Sequence, residues 1–171
     1  MSRILKTISM DLSTQSVDKA IREINAFKKQ LTDYCNDLIQ RLVEDGVVVA
    51  KMKVMQMNAV YTGALEESIE GIYSKDKRIG IILTSKPYAV YVEYGTGIVG
   101  LESPHPDPQS ANWEYDVNQH GEKGWLYLKK TDNGNKFRWT KGMPARPFMF
   151  NTLRWLEQNA PAIASELLSQ F

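Results

Sequence analysis

Residues 68–85, SIEGIYSKDKRIGIILTS, mark the point at which the sequence changes from a helical to a β pattern. Two runs rich in isoleucine lie on either side of Asp76-Lys77. β-Branched runs separated by a short polar pair predict a β-hairpin. Long helical patterns flank this hairpin in the sequence, so we expect a protein of the α+β class.

A long helix is predicted ahead of the hairpin. Apolar residues recur every three or four positions from Val17 to Leu42, with polar residues between them. This is the pattern of an amphipathic helix. Ser16 is a suitable N-cap, and Gly46 can end the helix, although the apolar run that follows it permits the helix to continue.

Two further segments are predicted after the hairpin. Residues 89–95, AVYVEYG, follow Pro87 and predict a third strand of an antiparallel β-meander. Residues 98–141 are an insertion with a proline-rich first half and a hairpin in its second half. Asn133-Gly134 is a favourable two-residue turn for that hairpin, and it would place Leu128 opposite Trp139.

The C-terminal segment predicts a helix that begins near Pro147 and continues to the last residue. Pro161 interrupts its hydrogen bonding, so we expect one kinked helix, packed on the sheet. Together these elements predict a single α+β domain over residues 1–171, with residues 98–141 as an inserted loop and hairpin.

Composition narrows the classes of function. The chain has 171 residues, is 43% hydrophobic and carries a net charge of +1, whereas nucleic-acid-binding proteins usually show a marked basic excess. Cys35 is the only cysteine, so an intrachain disulfide or a zinc cluster is excluded, which fits a reducing compartment. We find neither a signal-peptide core nor an apolar run of the ~20 residues that a membrane helix needs. We therefore expect a soluble intracellular protein with no membrane partner.

Gly95, Gly97 and Gly100 form a G-x-G-x-x-G pattern after a predicted strand. In a dinucleotide-binding fold the third glycine begins a helix whose N-terminus binds the pyrophosphate. Here three prolines follow within eight residues of Gly100 and oppose a helix of useful length. We expect no cofactor, and we assign Gly95 and Gly97 to a turn with unusual backbone angles.

Residues capable of catalysis or metal binding are scattered. His105, Asp107 and His120 are possible ligands, but they lack a tight ligand spacing. Neighbouring glutamates at positions 66, 67 and 70 do not form the opposed pair of a glycosidase. We therefore predict no catalytic residues, no metal site and no enzymatic activity.

The insertion carries aromatic residues interleaved with basic ones. Trp125, Tyr127, Lys129 and Arg138 share one face of the second hairpin and are the candidate assembly interface. The other face, with Leu126, Leu128 and Trp139, is expected to lie on the protein's own domain. An aromatic and basic surface can bind single-stranded nucleic acid by stacking or serve as a protein interface. The balanced net charge favours the protein interface.

Three separated motifs carry a resemblance to a known family. They are Tyr61-Thr62-Gly63-Ala64-Leu65-x-x-Ser68, then Tyr88-Ala89-x-Tyr91-Val92-Glu93-Tyr94-Gly95-Thr96-Gly97, then Gly142-Met143-Pro144-Ala145-Arg146-Pro147-Phe148 before a helix. In this order, over residues 60–156, the sequence resembles the head–tail joining, or tail-completion, proteins of long-tailed bacteriophages and prophages, also called minor tail components. The insertion is similar to a version found in prophages of Gram-positive hosts.

The resemblance implies a structural, non-enzymatic role in virion assembly. It implies a ring of copies of the chain, with six as one candidate number, between the head connector and the tail tube or tail-terminator protein. It also implies localisation in the bacterial host cytoplasm during assembly and then in the neck or tail of the virion. No sequence-specific nucleic acid is expected as a partner. The alternative is a module that uses the aromatic hairpin to bind single-stranded nucleic acid or a small ligand.

The motif positions are expected to be structural. They are Thr62, Gly63, Leu65, Ser68, Tyr88, Tyr91, Glu93, Gly95, Thr96, Gly97, Pro144, Ala145, Arg146, Pro147 and Phe148. Two of them carry opposite charges where chain segments converge. Because a partly buried charge needs a partner, we predict that Glu93 and Arg146 approach each other.

Overall fold

The computed structural model describes residues 7–59, 63–116, 119–120, 123–131 and 134–169, and it confirms the α+β class. Its helices are α1 (Thr14–Gln56), α2 (Ala64–Glu67), α3 (Ala89–Tyr94), α4 (Gly97–Glu102) and α5 (Phe148–Leu168). Its strands are β1 (Ile69–Ser74), β2 (Ile79–Thr84), β3 (Trp125–Thr131), β4 (Gly134–Thr140) and β5 (Gly142–Met143). A 3₁₀ turn covers Gln109–Ala111.

The strands within the described residues form two separate two-stranded sheets, β1–β2 and β3–β4. The first hairpin is therefore confirmed. The predicted third strand over residues 89–95 is wrong, because residues 89–94 form α3. In this segment Ala89, Val92 and Glu93 are buried while Val90 and Tyr91 are exposed, which is helical spacing. A short apolar run fits a strand or a helix equally well, so its composition could not decide.

Helix α1 is longer than predicted and begins earlier. It spans 43 residues, and Ser13, rather than Ser16, caps it, because the Ser13 hydroxyl accepts a hydrogen bond from the Ser16 amide at 3.3 Å. Gly46 does not end the helix but lies buried within it. A Cβ at Gly46 would collide with Cδ1 of Ile82 and lie 3.2 Å from Cδ1 of Leu156. This glycine therefore permits close packing.

Contacts within the chain group into two compact units. The first consists of residues 1–46, 71–82 and 156–171, and the second of residues 47–70 and 83–155. The expectation of one domain over residues 1–171 stays a prediction.

In the first unit, α1 packs on the middle of the β1–β2 hairpin and on the second half of α5. Gly80 in β2 lies against Val43 and Ile39 of α1. The hydroxyl of Tyr34 donates a hydrogen bond to the carbonyl of Ala164 in α5 at 2.9 Å. Helix α5 continues through Pro161 without a break, so one helix is confirmed and the kink stays a prediction.

In the second unit, the end of α1, the short helices α2 to α4 and the beginning of α5 share a core. Its most deeply buried apolar side chains are Ala50, Val54, Leu65, Ile69 and Phe148. Strand β5 pairs with Thr96 and with the first residue of α4, Gly97, through the bridges Thr96–Met143 and Gly97–Gly142. The second and third sequence motifs are thereby joined side by side.

Candidate assembly surface

The first motif forms a turn into β1. Thr62 lies outside the described residues. Gly63 has a left-handed φ of 76° and precedes α2, and Leu65 is buried. The hydroxyl of Ser68 donates to the carbonyl of Leu65 at 2.8 Å and lies 2.7 Å from the hydroxyl of Thr84. The described motif residues therefore serve the local fold.

The glycines of the second motif allow two backbone segments to approach closely. Gly95 and Gly97 have φ values of 78° and 63°, which confirms the unusual backbone angles predicted for them. A Cβ on Gly95 would lie 2.6 Å from the amide nitrogen of Ala145 and 2.9 Å from the carbonyl oxygen of Met143. These glycines therefore lie where the third motif passes.

Gly100, the third glycine of the pattern, lies inside a helix, although the prolines that follow it predicted no helix of useful length. Gly100 belongs to α4, a helix of six residues that ends before Pro104. The segment before the pattern is helix α3 rather than a strand. The strand–turn–helix geometry of a dinucleotide site is therefore not formed by these residues.

Glu93 is the central residue of the second motif. Its carboxylate is buried, and it accepts hydrogen bonds from the amides of Met149 at 2.9 Å and Phe150 at 2.8 Å. These amides belong to the first turn of α5, where backbone N–H groups lack partners inside the helix. The negative charge also lies at the positive end of the helix dipole. Glu93 therefore acts as an N-terminal cap for α5, supplied from 56 residues earlier in the chain.

His105 is the third partner of Glu93. Its Nε2 lies 3.2 Å from Oε1 of Glu93, and its Nδ1 accepts a hydrogen bond from the Asp107 amide at 3.0 Å. Because Nδ1 accepts, the ring proton lies on Nε2 and is donated to Glu93. Both ring nitrogens are thus engaged in hydrogen bonds, and within the described residues no group of three His, Cys, Asp or Glu side chains has the arrangement of a metal site.

Arg146 does not pair with Glu93, and the predicted ion pair between them is wrong. Its Nε donates to the carbonyl of Met57 at 3.1 Å. Met57 directly follows the last residue of α1, Gln56, where helix carbonyls lack partners and the dipole is negative. The segments do converge, since the Arg146 amide donates to the carbonyl of Val92 at 2.8 Å. Each charge stabilises a different helix end, so the pair is unnecessary.

The other residues of the third motif fix the entry into α5. Phe148, its first residue, is almost completely buried at 1% exposure. The amide of Ala145 donates to the carbonyl of Ser103 at 3.0 Å. Pro147 directly precedes the helix rather than occupying its first position, and Pro144 directly follows β5.

An aromatic cluster joins the first half of the insertion to the motifs. Tyr94 stacks on Trp113 with 5.2 Å between ring centroids and contacts His105 at 4.3 Å. Tyr91 meets Trp113 edge-on at 5.7 Å, and the Trp113 indole N–H donates to the carbonyl of Gly95 at 3.0 Å. The proline-rich half of the insertion therefore packs on the second motif through Trp113 and the buried His105. Tyr88, next to the cluster in sequence, is 43% exposed.

The hairpin of the insertion has a different register from the predicted one. Leu128 lies opposite Phe137, and Leu126 lies opposite Trp139. Thr131 pairs with Gly134, so the strands are joined by residues 132 and 133, which lie outside the described residues. Gly134, whose φ is 100°, belongs to the pair that closes the hairpin and not to the turn itself. The shift is two residues, and it therefore leaves every side chain on its predicted face.

The two faces of the hairpin do not have the predicted exposures. Leu126 is 60% exposed, Leu128 48%, Phe137 74% and Trp139 58%. This apolar face was expected to be covered by the protein's own domain, and that expectation is wrong. We call these four residues the apolar hairpin face. They present on the order of 400 Å² of apolar surface, within the range of about 300–600 Å² found for the largest apolar patch on a typical monomer.

The opposite face, which is the candidate assembly interface, combines half-buried with exposed side chains. Trp125 at its base is half-buried, stacks on His120 with ring centroids 5.1 Å apart, and lies against Gly97. Tyr127 is 42% exposed, Arg138 is exposed and Lys129 is half-buried. Tyr127 lies opposite Arg138, and Lys129 lies opposite Lys136. Lys136 lies on the same face, although it was not included in the predicted interface.

Comparison of the chain with models of protein families, with curated proteins and with solved structures finds no match. Among the helices of the described residues, none is both long enough and apolar enough to cross a membrane.

Proposed function

We propose that this chain is a head–tail joining, or tail-completion, protein of a long-tailed bacteriophage or prophage, with a structural and non-catalytic role. It acts as a ring of identical subunits, with six as the candidate number, between the head connector and the tail-tube or tail-terminator protein. It works in the host cytoplasm during assembly and remains in the neck of the virion. The three ordered motifs are the basis of the family assignment.

The observation that carries an assembly role is the apolar hairpin face. Four large apolar side chains, each about half exposed or more, lie together on one side of β3–β4. An apolar patch of this size on a protein surface is often functional, and protein association is one such function. The motif residues support this role indirectly, because they hold the two ends of the insertion in place at the Thr96–Met143 and Gly97–Gly142 bridges.

A genetic experiment tests this function. We expect deletion of the gene from its prophage to yield filled heads and separate tails by electron microscopy, and no infectious particles. A plasmid copy should restore them. A copy with Phe137→Ser and Trp139→Ser should fold normally and fail to restore them, because the exposed apolar face is lost.

The matched control is Ile79→Ser with Ile81→Ser, which alters two exposed strand residues outside the insertion. This variant should restore infectivity. Joined, infectious particles from the deletion strain would contradict the proposed function.

The second candidate function is binding of single-stranded nucleic acid. It is favoured by the cationic side of the hairpin, where Tyr127 and Arg138 form one cross-strand pair and Lys129 and Lys136 form the next. Phosphate contacts make such binding strongly salt-dependent. A labelled oligonucleotide that binds at low salt, and is released by salt or by Lys136→Glu with Arg138→Glu, would support this candidate.

A further inference from the structure

Helix α1 carries an apolar stripe that its own chain leaves uncovered within the described residues. The side chains of Ile21, Ile24 and Leu31 are 50%, 53% and 48% exposed. We call these three residues the exposed stripe. The buried side of the same part of the helix contains Ala20 and Tyr34, and Tyr34 is hydrogen-bonded to α5. The apolar arc of α1 is therefore wider than the part that its own unit covers.

The exposed stripe belongs to a seam with the spacing of a coiled coil. Val17, Ile21, Ile24, Lys28 and Leu31 follow one another at intervals of four, three, four and three residues. This alternation keeps side chains on one side of a helix, where they interlock with those of a second helix. A single lysine at such a position specifies the register and the number of helices, at some cost in stability. The seam therefore fits another helix of matching pattern.

The charges beside the seam indicate which helix that is and how it is oriented. Lys28 and Asp18 are both exposed. They are ten residues apart, or about 15 Å along the helix, so they cannot pair within one copy. The midpoint between them coincides, to within one residue, with the midpoint between Ile21 and Ile24. In an antiparallel pair of α1 helices centred there, Lys28 of each copy lies level with Asp18 of the other. A parallel pair would place like charges level with each other.

We propose that two copies of this chain pair through the first half of α1, antiparallel, around a two-fold axis between Ile21 and Ile24. Ile21 of each copy packs against Ile24 of the other. Lys28 pairs with Asp18 of the other copy at both ends of the contact. The second copy supplies both the apolar side chains and the opposite charges that this surface requires.

The same arrangement covers Leu12, which lies two residues before α1 and is 97% exposed. In the antiparallel pair it lies near the level of Leu31 of the second copy and extends the apolar contact. The contact is isologous, so it closes at two copies. It is therefore separate from any contact that builds a ring, and the inference does not rest on the proposed function.

The first experiment removes the apolar centre of the contact. Sedimentation velocity of the full chain over a range of concentrations should show a dimer for wild type. Ile21→Ser with Ile24→Ser should require at least about tenfold more protein to associate, because less apolar surface is buried. The matched control is Ile79→Ser with Ile81→Ser, which alters exposed isoleucines of β2 and should associate as wild type does. Circular dichroism confirms that each variant is folded.

An exchange of charges tests the direction of the helices. Lys28→Glu alone and Asp18→Lys alone should each weaken the dimer, because like charges then lie level with each other. The chain with both changes has opposite charges at both ends again and should associate within about threefold of wild type. In a parallel pair, like charges would stay level in every one of these variants, so none would differ from wild type.

Wild type that remains monomeric at every concentration would overturn the proposal. So would an Ile21→Ser, Ile24→Ser variant that associates as wild type does, or a doubly charge-exchanged chain that associates no better than the single variants. Single charge variants that match wild type would overturn the antiparallel pairing. The phage role is tested separately, since the particles formed by the deletion strain do not depend on this contact.

Discussion

Replacement of Glu93 by alanine should be among the most damaging single changes in the second unit. The side chain accepts hydrogen bonds from the amides of Met149 and Phe150 and from Nε2 of His105, at 2.9, 2.8 and 3.2 Å. Alanine leaves all three donors without an acceptor in a buried position. Each unpaired buried donor then bears its desolvation cost.

The expected loss follows from these contacts. A hydrogen bond to a charged group contributes about 1.5–3 kcal/mol, and a negative charge at a partly buried helix N-terminus adds up to about 2 kcal/mol. The contributions overlap, and removing one member of a buried charged network typically costs about 3–5 kcal/mol. We expect a loss in that range for Glu93→Ala. Glu93→Gln should cost less, since it keeps the shape and one acceptor oxygen.

Urea unfolding followed by circular dichroism at 222 nm measures the global loss. Hydrogen exchange at the amides of Met149 and Phe150 measures the local one, and both amides should exchange faster in the variant. Glu102→Gln, at an exposed position, is the control and should change stability by less than about 0.5 kcal/mol. A loss below about 1 kcal/mol for Glu93→Ala, or unchanged exchange at these two amides, would refute the capping role.

Double-mutant cycles separate the true partner of Glu93 from the one predicted by sequence. Coupling between Glu93→Ala and His105→Phe should be on the order of 1 kcal/mol, because the two side chains share a hydrogen bond. Coupling between Glu93→Ala and Arg146→Ala should be smaller, because their side chains serve different helix ends. The opposite order of coupling energies would restore the ion pair that we have rejected.

Two further predictions concern the first unit. Tyr34→Phe removes the hydrogen bond to Ala164 and should cost about 0.5–1.5 kcal/mol in urea unfolding at pH 7. Desolvation by burial raises the pKa of the Tyr34 phenol; the fold therefore favours the neutral form, and the advantage of wild type over Tyr34→Phe should shrink as pH rises above about 10. An advantage that grows with pH would contradict this sign. Gly46→Ala should lower the free energy of unfolding by about 1–3 kcal/mol, measured by urea unfolding, because its Cβ collides with Cδ1 of Ile82. Ile82→Val lacks that atom and should recover part of the loss; equal losses with and without Ile82→Val would show that the collision is not the cause.

Periodicity in the sequence predicted the long elements correctly, because a spacing that repeats over many residues rarely arises by chance. The long helix α1, the first hairpin and the continuous helix α5 follow from repeated spacings over many residues. Segment 89–94 was misassigned because six residues rich in valine and tyrosine fit both periods, and only the burial of Ala89, Val92 and Glu93 distinguishes them. The continuation of α1 past Gly46 was left open by the sequence, because Gly46 packs against a residue, Ile82, that is distant in sequence.

The candidate site was predictable in its residues but not in its pairings. Glu93 and Arg146 were correctly identified as charges at converging segments, since the Arg146 amide meets Val92. Their partners are backbone groups at helix ends, which no side-chain pattern in the sequence reveals. The hairpin faces were assigned correctly from alternation alone, but which face is covered depends on the rest of the fold. The alternation of side chains along the strands does not show which face is covered.

The cross-strand pairing at the base of β3–β4 has a consequence for how such a chain can vary. Trp125 lies opposite Thr140, and every pair beyond this one leads away from the base toward residues 132 and 133. Pairs of residues can therefore be added or removed at the tip without moving Gly124 or Lys141. A pair added or removed at the tip leaves the faces of the remaining pairs unchanged, because successive side chains alternate along a strand from its unmoved base. The hairpin can therefore change its reach without altering either face near the base, and independently of the Glu93 network.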